Sequence, residues 1–168
     1  MGKHGLIRIV SGGQTGVDRA GLDAAMFLAI PHGGWCPRGR RAEDGAIPLR
    51  YHLQEMPQRD YAVRTEQNVV DSDGTLILYR DRLSGGTELT FRLTKKHRRP
   101  CLCVDLNQLE VDDGDFEKSK DESNMLSANL LRYLEESNIQ VLNIAGPRES
   151  TSPGIAQQAE RFLVLALA

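Results

Sequence analysis

The chain has 168 residues, with 21 basic against 23 acidic side chains (formal net charge -2), 40% hydrophobic residues and 16 glycines. A single domain of that length buries roughly two-thirds of its unfolded surface, so it needs no disulfide or metal staple. The near-balance of charge excludes a strongly basic nucleic-acid binder, and the apolar content excludes global disorder.

Residues 6–10 form a short β-branched run that stops at Ser11-Gly12-Gly13 and predicts a strand. Val17, Ala20, Gly21, Ala24, Ala25 and Leu28 then repeat at three- and four-residue steps, one apolar face of a helix. Thr15 is the expected N-cap, with Asp18 three residues on in a capping-box-like arrangement. Residues 30–49 are rich in Gly, Pro and Arg and predict a short strand near 32–35, then a long loop. A helix is expected over 61–71 and a buried strand over 75–79. Ser84-Gly85-Gly86-Thr87 opens a helix to about Arg98, and Pro100 stops it.

The next strand is expected over 101–106, with Cys101 and Cys103 on one face and packing as their role. No further ligand stands at C-x-x-C spacing, and His4, His32, His52 and His97 form no metal pattern, so no intrinsic metal site is expected. Residues 107–124 predict an acidic loop or insertion; Asp112, Asp113 and Asp115 do not match an EF-hand. Leu126, Leu130, Leu131 and Leu134 mark a helix, and 141–144 a strand. Ser152-Pro153 is the expected start of the last helix, whose stripe runs from Ile155 to Ala166.

Strands alternating with helices define an α/β domain: a parallel sheet of five or more strands covered on both faces, in three α/β/α layers. There is no linker, so 1–168 is expected to be one domain. Three free or unframed cysteines suit a reducing compartment, and no apolar run reaches the ~18–20 residues of a membrane helix. A cytoplasmic protein without membrane or nucleic-acid partners is expected.

Ligands of open parallel sheets bind beyond the carboxyl ends of the strands, where strand order reverses. In the common doubly wound order the strands at 6–10 and 75–79 are neighbours, which sets two Gly-Gly loops side by side. Glycine at a helix start lets an anion reach free N–H groups at the positive end of the dipole. The expected phosphate-binding residues are Gly12, Gly13, Gln14, Thr15 and Gly16, then Ser84, Gly85, Gly86 and Thr87, with Arg148 supplying charge. Neither loop is a P-loop, since the Gly-Lys-Ser/Thr ending is missing. Beyond the second strand, Trp35 can stack on a heterocycle or pack, Arg40 and Arg41 can meet a second anion, and Cys36 can act as a soft ligand. Glu88 and Asp18 are the carboxylates placed for acid/base work, with capping as their simpler role. Eleven of the 16 glycines fall in these loops, so close backbone approach to a ligand is the expected reason for them.

Several motifs in order carry a family resemblance: Ser11-Gly12-Gly13-Gln14-Thr15-Gly16-Val17-Asp18-Arg19-Ala20, the 33–45 segment, Asp71-Ser72-Asp73-Gly74-Thr75, Ser84-Gly85-Gly86-Thr87, and residues 143–150. Together they resemble the molybdenum-cofactor carriers over nearly the whole chain. That resemblance implies a Rossmann-like fold, in the superfamily that holds the Lonely Guy phosphoribohydrolases. It also implies a binding protein for a phosphorylated heterocycle, with molybdenum cofactor (molybdopterin) or a nucleotide derivative as cargo, and assembly as a homodimer or homotetramer. The alternatives are hydrolysis of a nucleoside monophosphate at its N-glycosidic bond and nucleotide-ligand sensing. The Lonely Guy loop is Pro-Gly-Gly-x-Gly-Thr-x-x-Glu, whereas here Glu88 directly follows Thr87. Backbone phosphate binding survives that change; Glu88 projects at a different helical angle.

Overall fold

The computed structural model describes residues 5–109 and 116–168. In chain order it begins β1 (Arg8–Val10), α1 (Val17–Phe27), β2 (His32–Gly33), β3 (Trp35–Cys36), β4 (Arg41–Ala42), β5 (Gly45–Ala46) and β6 (Gln54–Glu55). Then follow α2 (Tyr61–Val70), β7 (Gly74–Tyr79), α3 (Gly85–Lys96), β8 (Cys101–Asp105), a 3-10 turn (Leu106–Leu109), α4 (Phe116–Glu136), β9 (Val141–Ala145) and α5 (Ile155–Leu167).

The central sheet is five-stranded and parallel throughout, in the order β2-β1-β9-β7-β8. Leu76, Ile77 and Leu78 of β7 are all fully buried, as a strand covered on both faces requires. α1, α4 and α5 bring Val17, Leu130, Leu134, Phe162 and Leu163 against one face, the main core. α2 and α3 cover the other face, completing the three-layer Rossmann-like arrangement. A smaller core joins Leu22 and Cys36 to Ile47, Tyr51 and Leu53 beneath the 37–53 loop.

Four expectations change. β1 and β7 are not neighbours: β9 lies between them, pairing Val10 with Asn143 on one side and Thr75 with Asn143 on the other. The reason is burial. Leu142, Asn143 and Ile144 are buried on both faces and belong in the sheet interior, whereas most of β8 is half-exposed and takes the edge. α1 is capped at Gly16 without a side-chain bond from Thr15; the N–H of Val17 donates to the Pro147 carbonyl at 3.2 Å instead. α5 starts after Gly154, a left-handed residue, not at Ser152-Pro153. Glu149 satisfies its first turn, accepting from the N–H groups of Gly154 and Ala156. Finally, 116–124 is helical, not loop. A stretch so rich in Lys and Glu has strong intrinsic helix propensity, which its lack of apolar residues concealed. Asp112, Asp113 and Asp115 lie outside the described residues.

Candidate functional site

A cleft of about 300 Å³ opens at the carboxyl ends of β1, β9 and β7. Because β9 is central, its exit loop Ala145-Gly146-Pro147-Arg148 forms the middle of the site, with the two Gly-Gly loops on either side. The fourth wall is α2, through Tyr61, Arg64, Thr65 and Asn68.

The two glycine loops play different parts. α3 begins at Gly85 behind an N-cap, Ser84, that makes no side-chain capping bond. Its first backbone bonds run from the N–H groups of Thr87 and Glu88 to the Ser84 carbonyl, at 3.1 and 3.3 Å. Gly85 and Gly86 precede those first bonds, and a Cβ on either glycine would meet nothing within 4 Å. This helix start is exposed, and Ser84, Gly85, Gly86 and Thr87 all line the cleft.

The first loop is closed by the protein itself. Gly12 and Gln14 line the cleft; Gly13, Thr15 and Gly16 do not. A Cβ on Gly12 would overlap the Arg64 guanidinium, one on Gly13 the Leu53 side chain, and one on Gly16 the Pro147 carbonyl. The Thr15 hydroxyl is hydrogen-bonded to Glu43, which also accepts from the backbone N–H and the hydroxyl of Ser150. Those bonds from Ser150 and Thr15 hold the Glu43 carboxyl below its usual range. Beside them Arg19 pairs with both oxygens of Asp44, at 2.5 and 2.7 Å. The 43–44 segment thus straps the first loop to the 148–150 loop, leaving its hydroxyl committed.

At the base of the cleft Arg64 meets Asp18 at 3.0 Å, with side-chain exposures of 12% and 7%. Asp18 also accepts from the N–H of Gln14. Burial outweighs these partners and raises the Asp18 carboxyl above its ordinary value. Among the described residues, the buried side-chain nitrogens without a hydrogen-bond partner are Gln14 Nε2 and Arg64 Nε, and both residues line this cleft. Arg148, exposed, makes no ion pair among the described residues and lies over the Tyr61 ring at 5.3 Å; Arg64 lies 5.9 Å from the same ring.

The residues expected on the ring side lie outside the cleft lining. Trp35 donates from its indole to Asp71 at 2.7 Å, and its backbone is held at both polar groups by Asn68. Cys36 is fully buried in the smaller core, which raises its thiol pKa, so it is not available as a soft ligand. Arg40 donates to the carbonyls of Ile47, Pro48, Tyr51 and Leu53, tying the loop together. Arg41 is exposed in the β4–β5 hairpin. Glu88 points along α3 to Arg92 at 2.6 Å and also lies outside the lining. Tyr61, Arg64, Thr65 and Asn68 were not singled out in the sequence. Their spacing of three, one and three residues is one helical face, and a polar face on a helix that must cover a sheet was the available signal.

Fold and cleft define a Rossmann-like domain with an open cleft at the carboxyl ends of its strands. Residues 9–167 match the circularly permutated YpsA SLOG family, and the chain belongs to that family. It is also similar to the crystal structure of a protein from Syntrophus aciditrophicus named "putative molybdenum carrier protein", with 43% identity over 98% of this chain and 96% of that one and a TM-score of 0.88. No protein of curated function matches the chain. Among the described residues no group of three His, Cys, Asp or Glu side chains is placed to hold a metal, and no helix is long and apolar enough to cross a membrane.

Proposed function

We propose that the protein binds a phosphorylated heterocyclic ligand, seating the phosphate at the start of α3 and the ring towards Tyr61 and α2. One observation carries this reading: the Gly85-Gly86 turn opens onto free space in the cleft whose lining also holds Arg148, a cation that makes no ion pair within 4 Å among the described residues. Free N–H groups, a helix dipole and a guanidinium converge on one kind of partner, a doubly charged oxyanion. The anion site is therefore at one helix N-terminus. At the other, Asp18 and Pro147 already occupy the N–H groups of Gln14 and Val17.

The Syntrophus protein is named a molybdenum carrier, and a cargo compatible with that name is molybdenum cofactor. Its phosphate suits the α3 turn, and its pterin suits the amides and hydroxyls of Gln14, Asn143, Thr65 and Thr90, which line the same space. Among the described residues no cysteine or histidine lines the cleft, so a cargo metal would face oxygen and nitrogen groups of this chain. Native mass spectrometry of the protein as expressed tests the reading. A bound mass containing phosphate, displaced by excess orthophosphate, is expected; a protein carrying only non-phosphorylated ligands would contradict it.

A second reading, cleavage of a nucleoside monophosphate, draws on Asp18, the one carboxylate in the lining among the described residues, whose raised pKa suits a general acid. Its tie to Arg64 and the outward direction of Glu88 favour binding over turnover. Incubation with nucleoside monophosphates separates the two: carriage predicts no release of free base.

A further inference from the structure

Gln14 is only 4% exposed, yet it lines the cleft. The two ends of its amide are told apart by what surrounds them. The backbone N–H groups of Thr15, at 3.1 Å, and Glu43, at 2.9 Å, both donate to Oε1. Only an oxygen can accept from both, so the amide cannot be turned round and Nε2 is the remaining end. Nε2 is buried without a hydrogen-bond partner, as is Nε of Arg64 in the same lining. Buried amide donors are paired in folded proteins as a rule, because a donor taken out of water and left unmade is costly. In the wall of a ligand cleft, the partner that completes such a donor is an acceptor on the ligand.

Two observations narrow that acceptor. With both lone pairs of Oε1 occupied, Gln14 presents a donor and nothing else, so an amino group on the ligand meets N–H against N–H. The guanidinium of Arg64 is already met by Asp18 at 3.0 Å, and Asp18 also accepts from the backbone N–H of Gln14. The donors here therefore take an uncharged acceptor, since a second phosphate would face the Asp18 carboxylate. A ring carbonyl is such a group. We propose that Gln14 is a specificity-determining residue, selecting heterocycles that carry a ring carbonyl (a lactam oxygen, as in oxopurines and oxopteridines) over those with an amino group at the same ring position. The role rests on the cleft taking a phosphorylated heterocycle, as proposed above.

Inosine monophosphate and adenosine monophosphate are the probes, titrated by calorimetry into the full-length chain. They carry the same phosphate and sugar and exchange a ring carbonyl for an amino group, so their affinity ratio isolates the ring contact. The oxo compound is expected to bind about tenfold or more tightly, because a site built to donate a hydrogen bond rejects the analogue that cannot accept it. Gln14→Glu keeps an oxygen for the N–H groups of Thr15 and Glu43 and replaces Nε2 with an acceptor, so the preference should be lost or reversed. Far-ultraviolet circular dichroism checks that this variant keeps the fold. A second pair, guanosine monophosphate against diaminopurine riboside monophosphate, repeats the exchange on the unsubstituted chain alone and should give the same preference. Failure of both members of a pair to bind, equal affinities within either pair, or an oxo preference that survives in folded Gln14→Glu would overturn the role of Gln14. The parent nucleosides keep this result apart from the phosphate site. Inosine binding above adenosine, with no gain from the phosphate, supports Gln14 and removes the phosphate site; equal monophosphates, each above its nucleoside, do the reverse.

Discussion

Gly12 and Gly86 belong to similar loops and do opposite things. Gly12 is small because the Arg64 guanidinium occupies the space of its missing Cβ on the way to Asp18. Gly12→Ala is therefore expected to break a largely buried ion pair and cost roughly 3 kcal/mol of stability, measured by urea unfolding. Gly86→Ala meets nothing and replaces a poor helix former, so stability should hold or rise by about 0.5 kcal/mol. Equal losses from both substitutions would refute this distinction. The sequence attributed all of these glycines to loops that let a ligand approach, whereas Gly86 lies in the first turn of α3. Gly16 and Gly146 instead admit the carbonyls of Pro147 and Leu78, contacts between segments about 70 to 130 residues apart that no local pattern encodes.

Asp18 gives a pH test at the same scale. Burial raises its carboxyl pKa in the folded protein, so the folded chain binds this proton more tightly than the unfolded one. Its contribution to stability is greatest below the unfolded value of about 3.9 and declines as pH rises through the folded value. Stability of the unsubstituted protein minus that of Asp18→Asn should therefore fall with rising pH above about 4. The opposite slope would mean that pairing with Arg64 outweighs burial.

Among the elements, the helices were legible from periodicity and their ends were not. α1, α3 and α5 follow their apolar stripes, yet local pattern points to Thr15 and Ser152 as caps where the chain uses the Pro147 carbonyl and the Glu149 carboxylate. Capping by a side chain five to seven residues upstream depends on how the preceding loop folds. Glu149→Ala should cost about 1 kcal/mol and leave the first turn of α5 less protected in hydrogen exchange; unchanged protection at Gly154 and Ala156 would show that the cap is redundant. α2 was legible as a helix, but its contribution to the cleft was not. A face of Tyr, Arg, Thr and Asn becomes a binding wall only once Arg64 and Asn68 find Asp18 and the Trp35 backbone across the fold.

At the scale of the whole molecule, the alternation of strands and helices was enough to establish the parallel three-layer domain, and the rule for strand ends was enough to locate the cleft. Strand order was not recoverable. The local patterns of β8 and β9 are both short apolar runs, and the choice of which becomes the edge depends on what the flanking helices cover. Placing β9 between β1 and β7 moves Arg148 to the middle of the cleft, in a lining that also holds the start of α3. The central claim, that this turn holds a phosphate, is tested most directly by calorimetric titration of a phosphorylated heterocycle and its dephosphorylated form into the unsubstituted protein and Gly86→Glu. The account predicts that the unsubstituted protein prefers the phosphorylated form by about tenfold or more, and that a carboxylate at position 86 abolishes this preference in a protein that remains folded. Equal affinities for the two forms, or a preference that survives Gly86→Glu, would contradict it.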